Sequence, residues 1–151
     1  GRLDKDTEGV LLLTNDGNWA HRIINGKKDI EKVYYVEYTG TLSEDGLNRI
    51  KEGLILGDGT QCKPAHIELL GAVHETGELK DKVISTDSEA SRAYAAKLTI
   101  TEGKFHQVKR MIGAAGGEVI YLKRLSVGPF TLEGIEETGD FAILDSDAVI
   151  L

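Results

Sequence analysis

Arg2 and Asp4 bring a guanidinium and a carboxylate into one short stretch, which Gly9 closes just before the apolar residues 10–13. A loop held against the end of a buried strand is rigid, and catalytic groups tend to be carried in such places. A carboxylate there can act as a nucleophile or as a general base. The plainer reading is a solvated turn in which Arg2 pairs with Asp4 or Asp6. Asp6 and Asp16 are the rival carboxylates, and Asp16, beside Gly17, suits a turn or a helix start. Further along, Lys104, Lys109, Arg110, Lys123 and Arg124 are opposed locally only by Glu102 and Glu118. That is a basic stretch of the kind that contacts phosphates, although a solvated face can have the same composition.

Composition narrows the field. A chain of 151 residues, 40% apolar and with two prolines, is expected to be one globular domain with a real core. The single cysteine, Cys62, cannot close an internal disulfide. His21, His66, His74 and His106 are too scattered to be read as a site. No metal-ligand cluster of Cys and His is visible, and a reducing, cytoplasmic setting fits best. No apolar run reaches the roughly 18 residues of a membrane span, and no signal segment is visible. The net charge of −7 argues against nucleic acid only at first sight, because Lys and Arg are absent after Arg124. Residues 1–124 hold 18 basic and 19 acidic groups and are nearly neutral. The sequence starts without Met, so a fragment with its upstream part missing is expected.

The elements that must position these residues are mixed. Residues 10–14 read as a short buried strand, and a short helix begins at Asn18 and runs through Trp19, Ile23 and Ile24. Residues 32–39 are rich in β-formers, and alternation puts Tyr34 and Tyr38 on the face opposite Tyr35. Thr41, Leu42, Ser43 and Glu44 have capping-box spacing ahead of Leu47, Ile50 and Leu54, which predicts a helix of about three turns. Asp58-Gly59 predicts a hairpin turn. Residues 71–91 read as a turn-rich excursion with a short strand at 82–85. Tyr94, Ala96, Leu98 and Ile100 alternate as a half-buried strand. Val108, Met111, Ile112 and Ala115 form a helical stripe that ends at Gly116-Gly117, so residues 105–115 should be a helix docked by core residues. Strands are also expected at 119–122 and 141–144.

Taken together, Gly1-Arg2-Leu3-Asp4 with Thr7, then Lys32-Val33-Tyr34, then Glu102-Gly103-Lys104-Phe105-His106-Gln107-Val108-Lys109-Arg110-Met111, resemble the ribosomal-RNA pseudouridine synthases of the small-subunit type. Residues 124–134 also match the segment that follows in that family. The resemblance spans residues 1 to about 134. Relatives commonly carry arginine where Lys109 stands. The small-subunit type is similar to this chain in having lysine there, which favours small-subunit over large-subunit rRNA. The resemblance implies an α+β fold, a mixed and mostly antiparallel sheet with packed helices. It also implies isomerisation of a flipped uridine by a monomer that needs no cofactor and acts on small-subunit rRNA or an assembly intermediate. The family has a small RNA-binding domain and an opening catalytic strand upstream, so residues 1–151 are expected to be a catalytic domain lacking both.

The same resemblance implies roles. Asp4 is the essential carboxylate, and Lys109 is its cationic partner, which a carboxylate sealed under an RNA base needs in order to stay ionised. Tyr34 packs its ring on the target base, where stacking is worth about 1–3 kcal/mol, and its hydroxyl can serve proton traffic. Arg2 contacts RNA around the vacated base position. Val127 is expected in the apolar wall against the base. Lys32 is a structural or phosphate contact, and Lys104, Gln107 and Arg110 contact RNA or position the loop. Two other classes stay open. One is a non-catalytic RNA-binding or ribosome-assembly module on the same scaffold. The other is a glycosidase-like hydrolase using Asp4 with Asp6 or Asp16, which needs two carboxylates about 5–9.5 Å apart.

Overall fold

A computed structural model of the chain describes residues 2–25, 28–76, 81–85 and 93–145. In chain order the elements are β1 (Glu8–Gly9), α1 (Gly17–Ile24), β2 (Lys32–Gly40), α2 (Glu44–Glu52), β3 (His66–Thr76), β4 (Asp81–Ser85), β5 (Ala93–Ile100), α3 (Gln107–Ala115), β6 (Gly117–Val127) and β7 (Phe130–Thr131). The seven strands form one sheet in the order β1-β6-β2-β5-β3-β4, with β7 paired to β6. Only the β1–β6 pairing is parallel among those described. The expected α+β class, a mixed and mostly antiparallel sheet carrying helices, is the class observed.

β2 lies at the centre because its side chains suit burial. Tyr34, Val36 and Tyr38 enter a core with Leu98 and Ile100 of β5, Leu122 of β6, Ile50 of α2, and Val108, Met111 and Ile112 of α3. Tyr35, on the other face, donates to Glu37 Oε2 (2.8 Å) and meets Tyr121 edge-on. Alternation therefore reads the tyrosines correctly. α2 and α3 cross closely: a Cβ on Gly46 would lie 2.7 Å from Ala115 Cα, so glycine is what lets the helices touch. The α3 stripe is core, as its spacing predicts. The α2 cap is Ser43, whose Oγ accepts from Gly46 N (2.9 Å), rather than Thr41.

Three predicted elements differ. Residues 10–14 are not a strand. Their ladder to β6 ends at Gly9, because the Val10 carbonyl accepts from the Arg124 side chain (Nε, 2.8 Å) instead of a β6 amide. Val10 and Leu12 pack in a second cluster around Trp19, Ile23 and Val127. Residues 141–144 are irregular, with Phe141 and Ile143 exposed. Part of the supposed excursion at 71–91 is instead the end of β3, which passes Gly71 through a register shift at positive φ (+105°). The short strand expected at 82–85 is β4, and residues 77–80 and 86–92 lie outside the described residues. No helix among the described residues is long and apolar enough to cross a membrane.

Candidate active site

Asp4 sits in a tight turn that Thr7 N closes on its carbonyl (3.0 Å). The turn is fixed to the sheet at both ends by one buried side chain. Arg124 donates from Nε to Val10 O (2.8 Å) and from Nη1 to Arg2 O (3.3 Å). Arg124 can do this because of a bulge. β2 pairs Val33 with Ser126 and then Tyr34 with Arg124, so Leu125 is skipped in the register. Without the skip, alternation would put Arg124 on the face opposite Val127. With it, Val127, Arg124 and Leu122 face the same way as Lys32, Tyr34 and Val36, which is the re-aiming bulges perform beside functional sites. Gly9 completes the arrangement. Its φ is +115°, and a Cβ there would lie 2.0 Å from the Arg124 carbonyl oxygen.

The second wall comes from the segment before α3. Glu102 and Gln107, both buried, hold it. Gln107 Nε2 donates to Glu102 Oε1 (2.9 Å), and Gln107 Oε1 accepts from Lys104 N (3.0 Å). Lys104 Nζ donates to the Gln61 carbonyl and lies 3.6 Å from Glu102. His106 then takes a left-handed conformation (φ 47°, ψ 37°), uncommon for a non-glycine residue. Its ring stacks on the exposed Phe105 at 3.9 Å, and its Nε2 lies 3.8 Å from Asp4 Oδ1. One turn into α3, Lys109 Nζ lies 3.8 Å from Asp4 Oδ2 and 2.6 Å from Asp6 Oδ1. The hydrogen bond from Lys109 lowers the Asp6 carboxyl below its ordinary range. Asp4 therefore has the His106 ring and the Lys109 ammonium beside it, both brought there by the start of α3.

Between these walls is a cavity of about 550 Å³. Asp4 and Tyr34 line it, as do Arg2, Lys32, Lys104, Gln107 and Val127. Lys109 reaches Asp4 from outside the lining, and Arg110 is turned away. Arg110 pairs with Asp58 (2.6 Å) and donates to Phe105 O (3.2 Å), so it positions the loop. Gln107 is likewise spent on bonds within the protein. No ion pair joins Arg2 to Asp4 or Asp6 among the described residues, while Asp16 caps α1 by accepting from Asn18 N and Trp19 N. Lys32 is only 7% exposed, and burial first, then Arg124, lower its pKa. Three contributors escape a sequence reading. His106 looks isolated by spacing, Arg124 depends on the bulge, and Thr7 offers a buried hydroxyl with no partner at the cavity wall. Only the matched motif around residues 102–111 could have pointed to His106. No group of three His, Cys, Asp or Glu among the described residues could hold a metal ion.

The family described as RNA pseudouridylate synthase matches residues 1–114. The chain is 40% identical over 151 residues to YtzG of Bacillus subtilis (strain 168), called an uncharacterized RNA pseudouridine synthase, covering 100% of this chain and 56% of that protein. It is 35% identical over 150 residues to the ribosomal small subunit pseudouridine synthase A of Haemophilus influenzae, covering 99% and 56%. A solved crystal structure of a pseudouridylate synthase superposes with a TM-score of 0.66 at 36% identity, over 87% of this chain and 48% of that one. The chain thus spans about half the length of the curated relatives it matches.

Proposed function

The chain belongs to the RNA pseudouridylate synthase family, and from that premise we propose that it is the catalytic domain of an enzyme that converts a uridine of small-subunit ribosomal RNA into pseudouridine. The observation that carries this reading is that Asp4 and Tyr34 line one cavity while the Lys109 ammonium stands 3.8 Å from the Asp4 carboxylate, the three coming from separate segments of the chain. A binding module needs basic and aromatic surface but has no use for a carboxylate facing the base pocket.

The reaction is an isomerisation. The C1′–N1 bond breaks, the base turns, a C1′–C5 bond forms, C5 loses its proton and N1 gains one. A uridine inside a duplex cannot present C1′ to a side chain, so the nucleotide must be flipped into the cavity. Tyr34 offers the flat face on which the uracil stacks, and Val127 supplies apolar wall. Asp4, held by the Thr7 turn and the Arg124 clamp, is the nucleophile or base towards the ribose. Lys109 supplies positive charge beside it. Arg2, at the cavity rim, is free to contact the RNA from which the base has left. The enamine character of C5 and the electrophilic C1′ do the rest, so the protein contributes position and electrostatics. The preference for the small subunit rests on Lys109 in its His-Gln-Val-Lys-Arg-Met setting and on the Haemophilus relative's name.

The test is to incubate the full-length protein with a small-subunit rRNA transcript, digest to nucleosides and separate them. A pseudouridine peak with no free uracil supports the proposal. Free uracil would make the protein a hydrolase, and neither product, with RNA bound, would make it a binding module.

A further inference from the structure

Lys32 is a cost the fold does not recover. Its side chain lines the cavity at 7% exposure, and no described residue gives its ammonium a hydrogen bond or ion pair. The charges around it are Arg124 and Lys63, which repel it, and Glu102, which attracts it. Glu102 is already committed to Lys63 N (2.7 Å), Gln107 Nε2 and Lys104. An ammonium withdrawn from most of the solvent without a partner carries a desolvation penalty, and a methionine of similar shape would pack there without it. The charge is therefore kept for something that enters the cavity.

What enters can be argued from access and chemistry. An internal phosphodiester carries a ribose on each side and stays at the rim, whereas a flat base can reach a nearly buried floor. Lys32 lies two residues before Tyr34 on the same face of β2, so a base stacked on Tyr34 runs towards it. An ammonium has three donors and no acceptor. Uracil presents two carbonyl acceptors, O2 and O4. A half-turn about the line from N3 to C6 exchanges N1 with C5 and, in the same motion, O2 with O4. A donor on either carbonyl thus meets a carbonyl before and after the base turns. Cytosine has an amino group at one of those positions and would set donor against donor in one orientation.

We propose that Lys32 receives the carbonyl edge of the flipped uracil and stabilises the negative charge that the ring carries between bond breaking and bond making. The inference rests on the isomerase reading above. When C1′–N1 breaks, its electron pair stays with the ring and spreads onto O2 and O4. When C5 bonds to C1′, the ring supplies that pair, C5 gives up its proton and N1 takes one, so nothing is consumed. A positive charge fixed beside a carbonyl in a dry site stabilises this state most when the charge on oxygen is greatest.

The experiment uses the full-length protein and small-subunit rRNA transcribed with 5-tritiated uridine. It follows tritium release in a single turnover, with RNA affinity measured across a salt series. Wild-type release is the control, and its absence would remove the isomerase reading itself. With an active wild type, Lys32→Met should lower the rate at saturating RNA about 100-fold, as loss of one such donor does. Its affinity and salt slope should stay within about twofold, and its melting point should not fall. An unchanged rate would overturn the proposal. So would a loss confined to affinity with the salt slope reduced by about one, which would mark a phosphate contact. A lower melting point would overturn it too, by making Lys32 a residue of the fold.

Discussion

Gly9→Ala tests how the catalytic loop is mounted. Alanine would have to hold φ near +115°, outside the left-handed well open to L residues, at a cost of about 1–3 kcal/mol. Its Cβ would stand 2.0 Å from Arg124 O and 2.6 Å from Arg124 N, both backbone atoms that cannot swing away. β1 must then separate from β6. That forfeits the Val10 N to Arg124 O bond (2.9 Å), worth about 1 kcal/mol, and the charge-assisted Arg124 Nε to Val10 O bond, worth about 1.5–3. Together these give roughly 3.5–7 kcal/mol, a large part of the roughly 5–15 that holds a domain folded. Urea unfolding read by the single Trp19, which packs in the same cluster as Val10, reports the change directly. Turnover should fall with it, because the strand that moves carries the Asp4 turn. Gly17→Ala is the control, since nothing lies within 4 Å of its Cβ position. A Gly9→Ala protein within about 0.5 kcal/mol of wild type and fully active would refute the reasoning.

Asp6→Asn should keep activity within a few-fold, because Asp6 only competes with Asp4 for Lys109; a loss as deep as that of Asp4→Asn would reverse the assignment of the two carboxylates. Tyr34→Phe keeps the stacking ring, so filter binding should show RNA affinity within about threefold of wild type, and a larger loss would mean the hydroxyl holds the RNA. Hydrogen bonds from Thr60, then Arg110, lower the Asp58 carboxyl to about 2 from the usual 3.8. A depressed carboxyl stabilises above its unfolded value and loses that contribution as pH falls from about 4 to about 2. Urea midpoints should therefore decline less over that window in Asp58→Asn than in wild type, and equal declines would contradict the pairing.

The elements that carry the site were legible from residue types: alternation sets the face of Tyr34, and the apolar stripe sets α3. Tyr34, Lys32 and Lys109 themselves were singled out only by the match to the family's motifs. The parts that depend on exceptions to periodicity were not legible. One skipped residue at Leu125 turns Arg124 inward, and no pattern in residues 117–127 announces it. His106 reaches Asp4 only because it adopts a left-handed conformation before α3. Residues 10–14 carry a strand's composition, but strand pairing needs free carbonyls, and the guanidinium of Arg124 takes that of Val10. Bonding partners also bear on the two roles left open for Gln107 and Arg110, RNA contact or loop positioning. Gln107 and Arg110 are polar residues in a basic stretch, yet their bonds go to Glu102 and Asp58 and hold the loop in shape.

The most direct test of the whole account treats small-subunit rRNA with the full-length protein and with Asp4→Asn, then maps carbodiimide-dependent primer-extension stops. One stop with the wild type and none with a folded Asp4→Asn protein is the predicted result. The same stop with both proteins would contradict the central role of Asp4, and no stop with either, while RNA remains bound, would contradict the isomerase itself.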